Sequence, residues 1–328
     1  MKKLLIALLL FSASKNFSQQ GFNSEDLTVT KADLEINSYV KDSTANALVI
    51  YEHGNSYLDK TTFKLKTEIK RKIKILNREG FDNATVIIYL YNNDNKKEKV
   101  HNITGTTFNL EGNHVTRTQL DKSQIFEEKH NDQYTMVKFT FPNIKEGSVI
   151  TYSYTLESPF MFKYKEWYFQ GEIPKLYSQY NASIPGNYEY NIKLVGFLKL
   201  AVDESVINKR CLELGGGASA DCAEYTYVMK DIPAFIEEDF MTTKHNYLAR
   251  IEYELKTFKG FDGTVDHYTK SWKIVDKELK TDKEVGKQLT KSSALKGLLD
   301  ATILDEKDPL LKAKAIYRYV QQTYTWNN

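Results

Sequence analysis

Cysteine and histidine are scarce in this chain of 328 residues, with two of the former and six of the latter. The histidines are scattered, with no HxH or HExxH spacing, and the cysteines form no CxxC pair. The residue types that hold transition metals are therefore not clustered. An excess of one charge sign is also lacking. The 45 Lys and Arg against 43 Asp and Glu leave +2, which gives no electrostatic footprint for nucleic acid. No apolar run approaches the about 20 residues that a membrane-spanning helix needs. The run from Leu4 to Phe11 follows Lys2 and Lys3 and precedes Ser12-Ala13-Ser14. A basic start, a short apolar stretch and small residues after it are the layout of a secretory signal peptide. Residues 1–18 are assigned to it. An exported protein without an integral membrane segment is expected, periplasmic or associated with the cell surface.

Export gives the two cysteines a meaning. Cys211 and Cys222 flank the glycine-rich "LELGGGASAD", and in an oxidising compartment they read as a candidate disulfide across a hairpin. A thiol nucleophile is the weaker reading. Cys222 is followed by "AEYTYVM", a strand pattern, and not by a helix whose N-terminus would lower a thiol pKa. The glycines lack the GKS or GKT that would follow in a phosphate loop. No catalytic, cofactor-binding or metal residue is assigned from spacing.

Aromatic residues are what the chain has in plenty, with 22 Tyr, 17 Phe and 3 Trp, a bias toward sheet. From about residue 28 to 258 the dominant period is two. In "TTFKLKTEIKRKIKIL", Phe63, Leu65, Ile69, Ile73 and Ile75 fall on one face. Lys64, Lys66, Glu68, Lys70, Lys72 and Lys74 fall on the other, which is expected to be solvated. Asn77 to Gly80 is turn chemistry, and Glu111-Gly112-Asn113 is a hairpin tip. Many short strands with regular turns predict an antiparallel β-sandwich over residues 19–262. Near residue 270 the period becomes helical. Trp272, Val275 and Leu279 share one face, Val285, Leu289, Leu295, Leu298 and Leu299 follow at roughly helical spacing, and Asp308-Pro309 opens a last helix. Residues 263–328 are therefore a helical segment.

The stretch "SPFMFKYKEWYFQGEIPKLYSQY" crowds aromatics. Trp167, Tyr168, Phe169 and Tyr177 are the candidate group for stacking on a ligand. Burial preference favours the other role for them, in the core and at the interface to the following domain.

Four stretches carry a family resemblance: "KILNREGFDNATVIIYL", "KFTFPNIKEGSVITYSYTLESP", "WYFQGEIPKLYSQYNASIP" and "MKDIPAFIEEDFMTTKHNYLARIEYEL". Together they resemble the domain-of-unknown-function family 3857, most specifically in Phe141 to Ile150 and Trp167 to Pro174. The resemblance implies an exported bacterial protein whose N-terminal β-sandwich precedes a transglutaminase-like domain. The segment "KAKAIYRYVQQTYTWNN" resembles the opening helix of that domain, which is expected to be incomplete here, with its cysteine, histidine and aspartate beyond residue 328. The implied role is a non-catalytic module. It would scaffold its own downstream transglutaminase-like domain, or bind a glycan or peptide of the cell envelope. The alternative is a part of a cysteine-dependent transglutaminase- or peptidase-like enzyme.

Overall fold

A computed structural model describes residues 21–325 apart from 94, 214–216, 269–270, 292–296, 298, 300–302 and 304. The expected signal peptide lies outside the described residues, as do Leu295, Leu298 and Trp326. The chain divides into two compact units, residues 1–268 and 269–328.

Among the described residues, the first unit begins with a short helix, α1 (Lys31–Glu35), closed at its start by a capping box between Thr30 and Asp33. Sixteen strands follow: β1 (Ala47–Leu58), β2 (Leu65–Ile75), β3 (Thr85–Asn93), β4 (Lys96–Lys97), β5 (Lys99–Glu111), β6 (His114–Gln119), β7 (Ile125–Lys129) and β8 (Tyr134–Thr140), then β9 (Val149–Ser158), β10 (Trp167–Tyr168), β11 (Lys175–Pro185), β12 (Tyr188–Val195), β13 (Val202–Glu213), β14 (Ser219–Ile232), β15 (Arg250–Lys259) and β16 (Val265–His267). They form one eight-stranded sheet, in the order β13-β14-β11-β1-β2-β9-β5-β6, and two four-stranded sheets. One smaller sheet runs β10-β15-β12 with β16 beside β15, and the other runs β4-β3-β8-β7. β16 pairs with β15 through Thr257 and His267.

Both smaller sheets pack on the same face of the large one. Leu65 and Ile69 of β2 join Tyr180, Tyr227, Met229, Ile251 and Tyr253 in one core. Ile73 and Ile75 of the same strand join Ile88, Leu90, Val137, Phe139 and Ile150 in a second. This is a sandwich, one layer of which is split in two. Among the described residues all strand pairings are antiparallel except β1 with β11, where Glu52 lies beside Ser178 and Ser56 beside Ala182 in a parallel register. A parallel pair needs a long crossover, and the nine intervening strands, β2 to β10, provide it. The β5–β6 tip forms where expected, with Glu111 paired to His114 and Gly112 at φ +62°.

The other face of β2 departs from expectation. Lys72 and Lys74 are fully buried, not solvated. The segment around α1 crosses over them. Lys72 Nζ donates to the Thr28 carbonyl (2.8 Å) and lies 3.4 Å from Asp33 Oδ2. Lys74 Nζ donates to the carbonyls of Leu34 (2.9 Å) and Gly147 (2.8 Å). A buried ammonium is tolerable only with such partners. Alternation predicts which side a residue faces but not what covers that side. Phe63 is also displaced from its expected face. It precedes β2, adopts φ +53° and is exposed.

In the second unit, α2 (Trp272–Thr281) carries the expected helical face. Gly286–Thr290 is a 3-10 turn. The last helix, α3 (Pro309–Thr323), starts as read, with Asp308 accepting from the amides of Leu310 (2.8 Å) and Leu311 (3.2 Å). Among the described residues no helix is long and apolar enough to cross a membrane.

Candidate binding cavity

The site begins with a bulge. On β1, Val49 pairs with Ile73, but Tyr51 already pairs with Lys72, so Ile50 is an extra residue. A bulge reverses the inside–outside phase of a strand beyond it. Ala47 and Val49 point into the sandwich before the bulge, and Glu52 points there after it. On β2, Arg71 sits in the apolar phase, between Ile69 and Ile73. The two strands thus place a carboxylate and a guanidinium opposite each other on the inner face, with Glu52 paired to Arg71.

Glu52 is completely buried. It accepts from the Arg71 guanidinium through Oε1. Through Oε2 it accepts from Lys175 Nζ (2.7 Å) and from Ser178 Oγ (2.6 Å). Burial pushes the Glu52 carboxyl up, but the attraction of Arg71 and Lys175 and the hydrogen bonds from Lys175 and Ser178 outweigh it and hold it below its ordinary value. Burial also works against the charge of Arg71, and the adjacent Glu52 more than compensates, so its pKa is raised. Burial lowers Lys175, with Glu52 opposing and Arg71 adding to the fall. Lys175 also donates to the Tyr168 carbonyl (2.9 Å), and Arg71 donates to Tyr152 Oη (3.1 Å).

This network floors a cavity of about 500 Å³. Arg71, Lys175 and Tyr152 share its lining with aliphatic side chains including Val86, Ile87, Ile173 and Leu248. At the margin, Lys244 bridges Glu237 (3.0 Å) and Glu172 (3.3 Å). Cys211 and Cys222 are bonded to each other, with Cα atoms 5.7 Å apart, so neither is a nucleophile. Among the described residues no three His, Cys, Asp or Glu gather as a metal-binding group.

Of the four candidate aromatics, the structure brings only Tyr168 to the cavity. Its hydroxyl is pushed up to about 12 by burial and by the hydrogen bond to Glu166. Trp167 and Phe169 are core residues, the packing role that the sequence favours for them. The Trp167 ring stacks on Tyr180 at 5.0 Å between centroids, and its Nε1–H donates to Ser178 Oγ (3.0 Å). Trp167 thus supports the network from behind. Tyr177, one residue before inward-facing Ser178, points to the opposite face of the sheet. There it stacks on Tyr51 at 5.8 Å.

Sequence reasoning missed Glu52, Arg71 and Lys175. One signal was available: Arg71 is the charged member of a phase otherwise made of Leu65, Thr67, Ile69, Ile73 and Ile75. The bulge at Ile50 has no comparable mark.

Comparison with known proteins places these observations. Residues 63–236 match the family DUF3857, described as a domain of unknown function with a solved structure. That span holds β2, β9 and β11, so Arg71, Tyr152 and Lys175 are inside it and Glu52 is not. A comparison with curated proteins finds no match. Among solved structures, a candidate protease from Parabacteroides distasonis is similar, with a TM-score of 0.55 at 14% identity over 85% of this chain and 51% of that one. This chain spans about half the length of that structure, and at that identity the likeness is one of fold.

Proposed function

This chain belongs to the DUF3857 family, and from that premise we propose that it is a non-catalytic binding module of an exported protein, taking a segment of envelope peptide or glycan in the cavity above Arg71. The observation that carries the proposal is the charged floor. Three ionised side chains are held between sheets at a place where an apolar core would be at least as stable, since buried ion pairs seldom improve on well-packed hydrophobic residues. Charge kept at the base of an open cavity is the expected pattern of a recognition site. A transglutaminase-like domain encoded next to this module would be its partner, with the sandwich as the scaffold.

A second reading comes from the name of the similar structure. The protein containing this chain would then be a peptidase. The two are separated by assaying the purified chain against envelope peptides and oligosaccharides for binding and for turnover. Saturable binding with no product formed supports the module. Product released by this chain alone, or undiminished binding after the cavity is blocked, overturns it.

A further inference from the structure

We infer that the cavity takes an extended peptide segment, which adds to the free edge of β3 as a further strand. The inference rests on the binding-module reading and narrows its ligand to one class and one mode of binding.

Main-chain hydrogen bonding is the first argument. In the order β4-β3-β8-β7, β3 pairs with β8 over residues 85–91. On its other side β4 meets only Asn92 and Asn93, and Tyr91 is closed by Glu98, whose amide donates to the Tyr91 carbonyl (2.9 Å). Among the described residues no strand pairs with 85–90 on that side. Every second residue of an edge strand points its N–H and C=O away from its partner. The free stretch is about 20 Å long at the usual strand rise, which gives room for a short peptide. The cavity runs along it. Thr85, Val86 and Ile87 all line the cavity, and no residue of β8 does. Consecutive side chains of a strand alternate between its faces, so these three share one cavity only because it lies beside the strand edge. Tyr168, Gln170 and Gly171, at the end of the other small sheet, also line it. There the Tyr168 carbonyl is already taken by Lys175 (2.9 Å), which leaves β3 as the pairing edge.

Side chains are the second. Natural sheet edges are commonly blunted by charge or proline. β6, β7, β12 and β13, each at the end of a sheet, all carry charged residues. The stretch "TVIIYLY" (85–91) has neither charge nor proline. Ile88 and Leu90 face the core, and on the outer face Ile87 and Tyr89 are 45% and 48% exposed. Aromatic or β-branched residues of an added strand would pair with these two. Its inner residues would look onto Arg71 and Tyr152, which suits Ser and Thr. Charge is the third argument. On the lining, Arg71, Lys175 and Lys244 are balanced by Asp82, Glu172 and Glu237, with Glu52 beneath, so nothing calls for an anion. A neutral ligand with both donors and acceptors fits. A peptide main chain and a neutral sugar both meet that condition, but only the peptide repeats its donors and acceptors at the spacing of the β3 edge.

The test is isothermal titration of the full chain with Ac-Lys-Thr-Val-Thr-Tyr-Ser-Val-Lys-NH2, with two N-methylated analogues, and with N-acetylchitotriose. One analogue is methylated on the Thr and Ser amides and the other on the Val and Tyr amides, so each blocks one edge of the peptide. The parent binds, and one analogue binds at least about tenfold more weakly than the other. Amide hydrogen exchange at residues 85–90 slows in the complex. Ile87→Lys with Tyr89→Lys, at exposed positions, puts charge on the edge and weakens the parent about tenfold. Gly171→Trp abolishes binding without altering the melting temperature. Gly171 lines the cavity and a Cβ there would meet nothing within 4 Å, so the substitution fills the site from open space. Two analogues that bind alike, exchange at 85–90 that does not slow, or an affinity unchanged by Gly171→Trp overturns the inference. Binding of the glycan without the peptide overturns it and leaves the module reading standing. Silence of both the parent peptide and the glycan up to millimolar concentration overturns both.

Discussion

Arg71 and Glu52 face each other across β2 and β1, and the contact exists because Ile50 is one residue too many for its partner strand. Without the bulge, Glu52 would share the outward phase of Leu48 and Ile50, which pack with Tyr39 on the other face of the sheet. A local irregularity in backbone pairing thus turns a buried carboxylate toward two cations.

Glu52→Gln is therefore expected to be strongly destabilising. The amide oxygen can still accept from Ser178 Oγ, but its NH2 group would face the Arg71 guanidinium, so the charge and one acceptor are lost together. Arg71 and Lys175 would then share the site without an anion. Removing one member of a buried ion pair costs about 3–5 kcal/mol. Urea denaturation is the measurement, with the midpoint falling at constant slope. A change below about 0.5 kcal/mol, the level of an ordinary surface substitution, would mean that the three groups do not depend on one another.

Gly54 gives a test of the packing behind the network. Its missing side chain makes room for the Trp167 ring, and a Cβ there would land on the ring carbons. Trp167 is held by Ser178 and Tyr180, so it has little freedom to yield. Gly54→Ala should cost about 1–3 kcal/mol by overpacking and shift the tryptophan emission. An unchanged melting curve with unchanged emission would contradict this arrangement.

These positions also show where the sequence is legible. The period of two in β2 is plain, and so is its apolar phase, because side chains in a strand alternate by geometry alone. The α3 start is equally plain, since Asp308 and Pro309 act on their own backbone neighbours. Lys72 and Lys74 looked solvated because what buries them lies some forty residues upstream, in "NSEDLTVTKADLE", which shows no period. For Trp167 and Phe169 the sequence left a ligand platform open beside the favoured core packing, because composition does not distinguish an exposed ring from a buried one. Glu52 was hidden because its orientation depends on a pairing offset with another strand. Local signals are written in the chain, whereas cover and register are set by segments distant in sequence.

The Cys211–Cys222 bond closes the far end of the β13–β14 hairpin, near the pairs Asn208–Cys222 and Leu212–Ala220. It restrains a short loop, so its effect is on the unfolded chain and on local fraying, not on the cavity. Cys211→Ser with Cys222→Ser should lower stability by about 3 kcal/mol. Amide hydrogen exchange should quicken in β13 and the adjoining end of β14 and stay unchanged in β1 and β2. Faster exchange at Glu52 or Arg71 would show that the hairpin braces the site after all.

Lys74 supplies a pH signature. Burial lowers its pKa from 10.5 to about 8, with Asp33 opposing in part, and burial lowers Lys72 and Lys175 in the same direction. Between those two values the unfolded chain binds more protons than the folded one, so stability must rise with pH across that window. One such group contributes a slope of at most about 1.4 kcal/mol per pH unit. Tyr57 works the other way. It is raised from 10.0 to about 12 by burial and by its hydrogen bond to Glu68, and it begins to favour the unfolded chain only as pH passes 10. Stability should therefore climb from pH 8 and turn over near pH 10. Denaturant midpoints measured at half-unit intervals will show the climb, and Lys74→Met should reduce its slope. A slope that the substitution leaves unchanged would mean that the ammonium under Leu34 and Gly147 is not the titrating group.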